Sequence, residues 1–366
     1  MASLRKLHWI RFKYWVQTHK KQTIIISAVV GILVFGVGGY FGYKYFFTAK
    51  SKSEPAIHTA AVIPKKPPKP ILSPLTGLPT TAALAARPVT AIMIENDPPA
   101  RPQAGLSEAG LVFEAIDDGG ITRYLALYQE AEPTNIGPVR SLRPYYLDWG
   151  ATFDASIVHV GGSALALQEV TNGNYFNGDY LRYPQYFWRI TQRVAPYNVF
   201  TDTSHLDELN AKLGLTHSNF APFPRKPDAP AAVPTATNIQ VNFSSYLYQV
   251  NYTYNKATNT YLRDLEGSPQ IDSLDNQQLN PKVVVVIQVN ESTVMEDGYR
   301  QVIDTTGSGQ MWLFQDGIVT QGTWSKPSDS SQFVFTDTAG HVLKLNAGQV
   351  FIEAVPTYES ISYTAS

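Results

Sequence analysis

The sequence predicts an α+β protein in which one transmembrane helix precedes a mixed α/β N-terminal ectodomain and a mainly β C-terminal domain. Three observations lead there. The run from Thr23 to Tyr43, TIIISAVVGILVFGVGGYFGY, is free of charge. Between residues 80 and 220, short apolar runs mix with helix-capping signals, whereas from 238 to 360 the runs alternate and are separated by turn residues. The chain therefore divides into a basic cytoplasmic tail (1–22), the transmembrane helix (23–47), a Pro/Lys-rich stalk (48–79), an N-terminal domain (80–220), a linker (221–237) and a C-terminal β domain (238–360).

At about 1.5 Å per residue, residues 23–43 cover the roughly 30 Å hydrocarbon core of a bilayer. Arg5, Lys6, Arg11, Lys13, Lys20 and Lys21 precede them with no acid, and this excess of cations places the N-terminus in the cytoplasm. The run is longer than the apolar core of a cleaved signal peptide, and it ends in Tyr43-Lys44-Tyr45 rather than at a small-x-small site. The expected location is the cell membrane, single-pass, with everything beyond about residue 48 outside. Pro55, Pro64, Pro67, Pro68, Pro70, Pro74 and Pro79, interspersed with Lys65, Lys66 and Lys69, make the following stretch a semi-rigid spacer.

The formal net charge of -1 conceals a partition. Residues 1–69 carry 12 Lys/Arg against Glu54 alone, whereas residues 70–211 and 238–366 each stand at -7. An acidic ectodomain excludes a nucleic-acid partner, since such binding depends on clustered basic charge. There are no cysteines, which removes disulfides, thiolate metal sites and Cys nucleophiles. With seven His and none spaced as ligands near another, neither a metal nor a cofactor is expected.

In the N-terminal domain the patterns predict a strand at Val89 to Ile94, a hairpin of Leu111 to Ile116 and Ile121 to Tyr128 joined by Asp117-Asp118-Gly119-Gly120, and a strand at Ser156 to Val160. Ser204 with Asp207 forms a capping-box pattern before LDELNAKL, and Gly214 is placed to end that helix. The Pro/Ala-rich stretch Pro222 to Pro234 reads as an interdomain linker. The C-terminal runs are Ile239 to Tyr254, Val283 to Val289, Arg300 to Ile303, Met311 to Phe314, Phe333 to Phe335 and Val350 to Val355, punctuated by Gln315-Asp316-Gly317 and Ala339-Gly340. Gly307-Ser308-Gly309, with no Lys-Ser/Thr after it, reads as a β-turn rather than a phosphate loop.

Several blocks are familiar: RPVTAIMIEND (87–97), ARPQAGLSEAGLVFEA (100–115), GGITRYLALY (119–128), IGPVRSLRPYY (136–146), HVGGS (159–163) and YFWR (186–189). Together with DGYRQVIDTTGSGQMWLFQDGIVTQGTWSK and GHVLKLNAGQVFIEAVP they resemble the YerB-like lipoprotein family of bacterial envelope proteins, over residues 73–357. The resemblance implies an extracytoplasmic, two-part architecture and supplies no established reaction. Members of that family are often anchored through a lipidated Cys, and many have His where this chain has Tyr197.

Residues 70–211 contain eight Arg and no Lys, which points to guanidinium groups held by specific hydrogen bonds. They either line a ligand pocket, with Arg101, Arg123, Arg140 and Arg143 as its binding residues, or pair with the domain's own carboxylates. Glu95 ends an apolar strand, where α/β-like sheets put their sites, and Asp97, Arg101 and Glu108 follow in a Pro-rich loop. Period-2 alternation sets Glu114 between Val112 and Ile116, so its carboxylate pairs with an Arg or has a raised pKa, as a general acid needs. His159 precedes Gly161-Gly162, where a ligand can approach, and reads as an acid/base group or a hydrogen-bonded core histidine. Tyr183, Tyr186, Phe187, Trp188 and Arg189 make an aromatic segment suited to stacking on sugar rings or to core packing.

The leading reading is an envelope enzyme that cleaves a saccharide-containing wall polymer, with Glu95, Glu114 and His159 as catalytic groups and Asp97, Arg101, Glu108, Arg123, Arg140, Arg143, Trp188 and Arg189 binding the ligand. The alternatives are a non-catalytic module that binds wall glycan or another envelope protein, and a binder of a small anionic ligand. Paired carboxylates across an open cleft favour cleavage, and carboxylates locked onto arginines favour binding or architecture. Most of the nine residues Glu95, Asp97, Arg101, Glu108, Glu114, Arg123, Arg140, Arg143 and His159 are expected to lie around one concave surface.

Overall fold

A computed structural model describes residues 2–47, 69–293, 300–356 and 361–365. The stalk expected at 48–79 lies outside the described residues up to position 68. Residues 1–67 and 68–366 form two separate units.

The first unit holds helix α1 (Ala2–Thr18) and helix α2 (Lys20–Phe47). The expected span lies within α2, whose segment Lys20–Tyr45 has a mean hydropathy of 2.3 and is long and apolar enough to cross a membrane.

The second unit has the expected α+β composition, with its C-terminal region mainly β. Strands β1 (Thr90–Glu95), β2 (Leu111–Ile116), β3 (Thr122–Tyr128), β4 (Ser156–His159) and β5 (Phe176–Asp179) come from the first part of the sequence. Helices α3 (Pro144–Ala151), α4 (Ala164–Asn172) and α5 (Thr203–Leu213) accompany them. The α5 helix begins earlier than the capping box implied. Asp202 is its N-cap, accepting from the His205 N–H, and Gly214 ends it in the left-handed region as expected.

The run at 239–254 divides into β6 (Asn238–Asn242) and β7 (Gln249–Asn255), separated by a turn of 3-10 helix at Tyr246–Tyr248. There follow β8 (Thr260–Leu265), β9 (Val283–Val289), β10 (Gly307–Gln315), β11 (Ile318–Lys326), β12 (Val334–Asp337), β13 (Val350–Pro356) and β14 (Ile361–Thr364). Gly307-Ser308-Gly309 is strand, not turn. Gly309 opposes Trp324, whose indole N–H reaches Gln288 O at 2.8 Å, and a side chain at 309 would collide with that ring.

Ten strands form one mixed sheet in the order β12-β11-β10-β9-β13-β2-β3-β1-β4-β5. The last long strand in the chain, β13, lies at its centre, parallel to both β9 and β2. Strands β8, β7, β6 and β14 make a second sheet, edged by Ser268–Pro269. The central strands are buried on both faces, so they read as continuous apolar runs. One face packs on Tyr145, Tyr146 and Trp149 of α3 and on Phe333 and Phe335. The opposite face packs on Leu206 and Leu209 of α5 over the first part, and on Val241, Val250 and Tyr252 of the second sheet over the C-terminal part.

The expected linker at 221–237 takes a different form. Phe223 enters the core, Arg225–Lys226 pairs in parallel with Leu345–Asn346, and residues 68–366 make one compact unit. The reason is topological, because β13 hydrogen-bonds to strands from both sides of that stretch. We therefore expect residues 69–366 to unfold in one calorimetric transition, and a chain ended at Gly348 to lose near-ultraviolet circular dichroism throughout; retention of a folded 80–220 segment would contradict this.

Candidate functional site

Strand register decides where the charged residues go. Glu95 and Ala115 both flank Arg123, whereas Glu114 flanks Tyr124. Cross-strand partners share a face, so Glu95 points to the α3 side of the sheet and Glu114 to the opposite side. Two ion clusters result.

On the α3 side, Arg123 bridges Glu95 at 3.1 Å and Asp117 at 2.5 Å. Arg140 Nε lies 2.5 Å from the same Glu95 oxygen, and Arg143 pairs with Asp117 at 3.1 Å and with Asp118. Three carboxylates face three guanidinium groups. Tyr145 and Tyr146 of α3 donate to Ile116 O at 2.9 Å and Arg123 O at 2.7 Å, fixing the hairpin end against the helix. Burial alone would raise Glu95, but Arg123 and Arg140 outweigh it and hold its pKa at about 2. Asp117 is fully enclosed, and burial prevails over Arg123 and Arg143 to raise it to about 6.

On the other side, Arg263 of β8 pairs with Glu114 and lies 3.7 Å from Glu353 of β13. Glu114 and Glu353 are register partners on adjacent strands, and all three side chains have no exposure. Thr122 and Asn96 donate to Glu114 at 2.6 and 3.2 Å, and Tyr252 donates to Glu353. The guanidinium lies over Tyr124, Tyr252 and Phe351, 5.3 to 5.6 Å from the ring centres. A single cation faces two carboxyl groups. Burial first, and Glu114 second, push Glu353 up to about 8, so Glu353 holds a proton at neutral pH and the cluster is charge-balanced.

Toward the surface, Asp97 accepts from Tyr197 and, at 3.4 Å, from Tyr248. Hydrogen bonding to Asp97 pushes Tyr197 up to about 12, so it remains a neutral donor. Arg101 lies 5.3 Å over Tyr248 and Arg140 5.9 Å over Tyr197, giving a row of Arg, Tyr, Asp, Tyr, Arg. Arg101 also bonds Glu266 at 3.0 Å and Leu247 O at 2.9 Å, and with Gln103, Leu265, Pro269 and Gln270 it lines a cleft of about 350 Å³.

Of the nine, Glu114, His159 and Glu108 stand apart from the groups around Glu95 and Asp97. Glu114 and His159 have no exposure; His159 is held by Gly161 O at 2.8 Å and Asn177 at 3.0 Å, and its burial lowers its pKa. Glu108 is exposed near Asp272 and Asp275, beyond the clusters. Trp188 packs 5.7 Å from His205, and the exposed Arg189 bonds Asn198 at 2.6 Å, next to Tyr197. Period-2 alternation sets Glu114 between apolar neighbours, and the strand register places it on the opposite face from Glu95. Arg263 and Glu353 escaped sequence reasoning. Their signal was present, since each occupies the apolar phase of its strand, Tyr261-Arg263-Leu265 and Phe351-Glu353-Val355. Among the described residues no group of His, Asp and Glu is placed to hold a metal ion.

The N-terminal domain of the protein family of unknown function DUF3048 matches residues 75–216, and its C-terminal domain matches 239–352. "Putative lipoprotein YerB" of Bacillus subtilis (strain 168) is 29% identical over 300 residues, 80% of this chain and 89% of that protein. The crystal structure of the B. subtilis YerB protein superposes with a TM-score of 0.73 at 28% identity, covering 80% of this chain and 99% of that one. This chain belongs to the YerB-like family. In family terms the Glu95 cluster lies within the N-terminal domain, and the Arg263 cluster joins a Glu of that domain to an Arg of the C-terminal one.

Stability follows from these pairings. Breaking a buried pair by removing one partner costs about 3–5 kcal/mol, so Glu95→Gln and Arg263→Met should each lower the unfolding free energy by that order, read from denaturant titrations. Glu353 has a folded pKa raised from 4.5 to about 8, so its contribution is complete below 4.5 and is lost as pH rises toward 8. Asp117 acts in the same direction up to about 6, whereas Glu95 acts oppositely below 4.5 and His159, its pKa lowered by burial, acts oppositely below 6.5. Thermal melts are therefore expected to show higher stability at pH 5 than at pH 8, with Glu353→Gln removing most of the difference; an unchanged slope in that variant would exclude Glu353 as its source.

Proposed function

We propose that this protein is a single-pass membrane protein of the bacterial envelope, with residues 1–22 cytoplasmic, whose outer part binds a saccharide-containing wall polymer without cleaving it. The observation that carries the reading is the locking of the interior carboxylates. Glycan cleavage needs a protonated acid and a second carboxylate across an open cleft. Glu95 instead stays ionised between two arginines, and Glu114 is enclosed on the other face of the sheet. The row Arg101, Tyr248, Asp97, Tyr197 and Arg140 offers what recognition requires: aromatic rings, a fixed carboxylate and guanidinium donors beside a cleft with apolar walls. Orientation follows from the cations that precede the span.

Residues 69–366 are expected to co-sediment with purified cell wall and to release no fragments detectable by mass spectrometry. Arg101→Ala and Tyr248→Ala are expected to weaken that binding about tenfold each, the effect of losing one good anchor contact. Released saccharides would replace binding with cleavage, and failure to sediment would remove the wall polymer as ligand.

A further inference from the structure

Helix α1 exposes aromatic and cationic side chains together. Between Trp9 and Trp15 it sets Trp9, Ile10, Phe12, Tyr14 and Trp15, all exposed, among Arg11 and Lys13. The Lys13 ammonium sits 4.1 Å over the Trp9 ring, and Trp15 stacks on His19 at 5.3 Å. Residues 1–53 contain no Asp or Glu, so the six cations from Arg5 to Lys21 are unopposed by any acid of that stretch. Such a helix is poorly matched to water, where the aromatic faces stay hydrated, and to hydrocarbon, where the cations are costly. The headgroup layer satisfies both, because Trp and Tyr prefer the membrane interface and Lys and Arg extend to phosphate. The helix is continuous with the apolar span, so the interface lies beside it.

We infer that α1 is a lipid-binding element that recognises anionic headgroups of the leaflet it enters. The occupant is a phosphate-bearing lipid. Clusters of four to eight Lys/Arg next to a span attract such lipids over about one Debye length. His19 is the single residue between α1 and α2 outside the helices, and a bend there would let α1 lie along the surface. The inference rests on the anchor reading above and adds to it a requirement for lipid charge.

The test uses the full chain, which has no cysteine, with Ser3→Cys carrying an environment-sensitive fluorophore. Ser3 lies near the far end of α1, about 25 Å from Lys20 along a straight helix. The protein is reconstituted into vesicles of phosphatidylcholine alone, or of phosphatidylcholine with phosphatidylglycerol, and floated on a density gradient. Phosphatidylglycerol should shift the emission to the blue, salt should reverse the shift, and Arg11→Gln with Lys13→Gln should reduce it at least several-fold. Emission that ignores lipid charge, or a shift that survives the double substitution, overturns the lipid site alone. Failure to float with either vesicle overturns the membrane span and the lipid site with it.

Discussion

Arg263 is the residue on which the two parts of the fold close. It projects from the second sheet onto the seam where β2 and β13 run side by side, and it meets one carboxyl group from each strand. Above and below that point the interface is apolar, with Val112 and Phe351 on one side and Ile116 and Val355 on the other. A buried cation without partners would be prohibitive, so the sheets reach this contact only when β2, β8 and β13 are all in register. The cluster need not add much net stability for this to hold. Its physical value is that wrong registers bury a charge unpaired.

The same logic governs the Glu95 cluster on the other face. Arg123 reaches Glu95 and Asp117 together, which ties the end of β1 to the β2–β3 turn, and Arg143 fastens that turn to the start of α3. Both glycines of the turn adopt positive φ, which lets Asp117 and Asp118 face the arginines. An Arg-rich, Lys-free segment is what such geometry demands, since a guanidinium satisfies two carboxylates at once and an ammonium holds them less directionally. Of the two readings open for the arginines, pairing with the domain's own carboxylates holds for Arg123, Arg140 and Arg143.

The rim proposed for binding is at the carboxyl end of β1, where Asp97 is held between two tyrosines and both flanking arginines retain some exposure. Arg101 serves both purposes, binding Glu266 and Leu247 O from the C-terminal part while lining the cleft. The proposed recognition and the closure of the fold would thereby share one side chain. A ligand that displaces Glu266 from Arg101 would loosen a contact between the two family domains.

The sequence by itself determined the features that depend on near neighbours along the chain. The uncharged run of α2, the alternation in the hairpin, the left-handed end at Gly214 and the enclosure of Glu114 between Val112 and Ile116 all follow from local pattern. The Arg-rich composition announced held guanidinium groups, without naming their partners. Tertiary structure alone decided that Glu95 and Glu114 face opposite sides of the sheet, that β13 enters between β9 and β2, and that Arg263 closes the seam. The physical reason is distance along the chain. Arg263 meets a carboxylate 149 residues earlier, and such a pairing is fixed by strand order and register, which no local signal encodes.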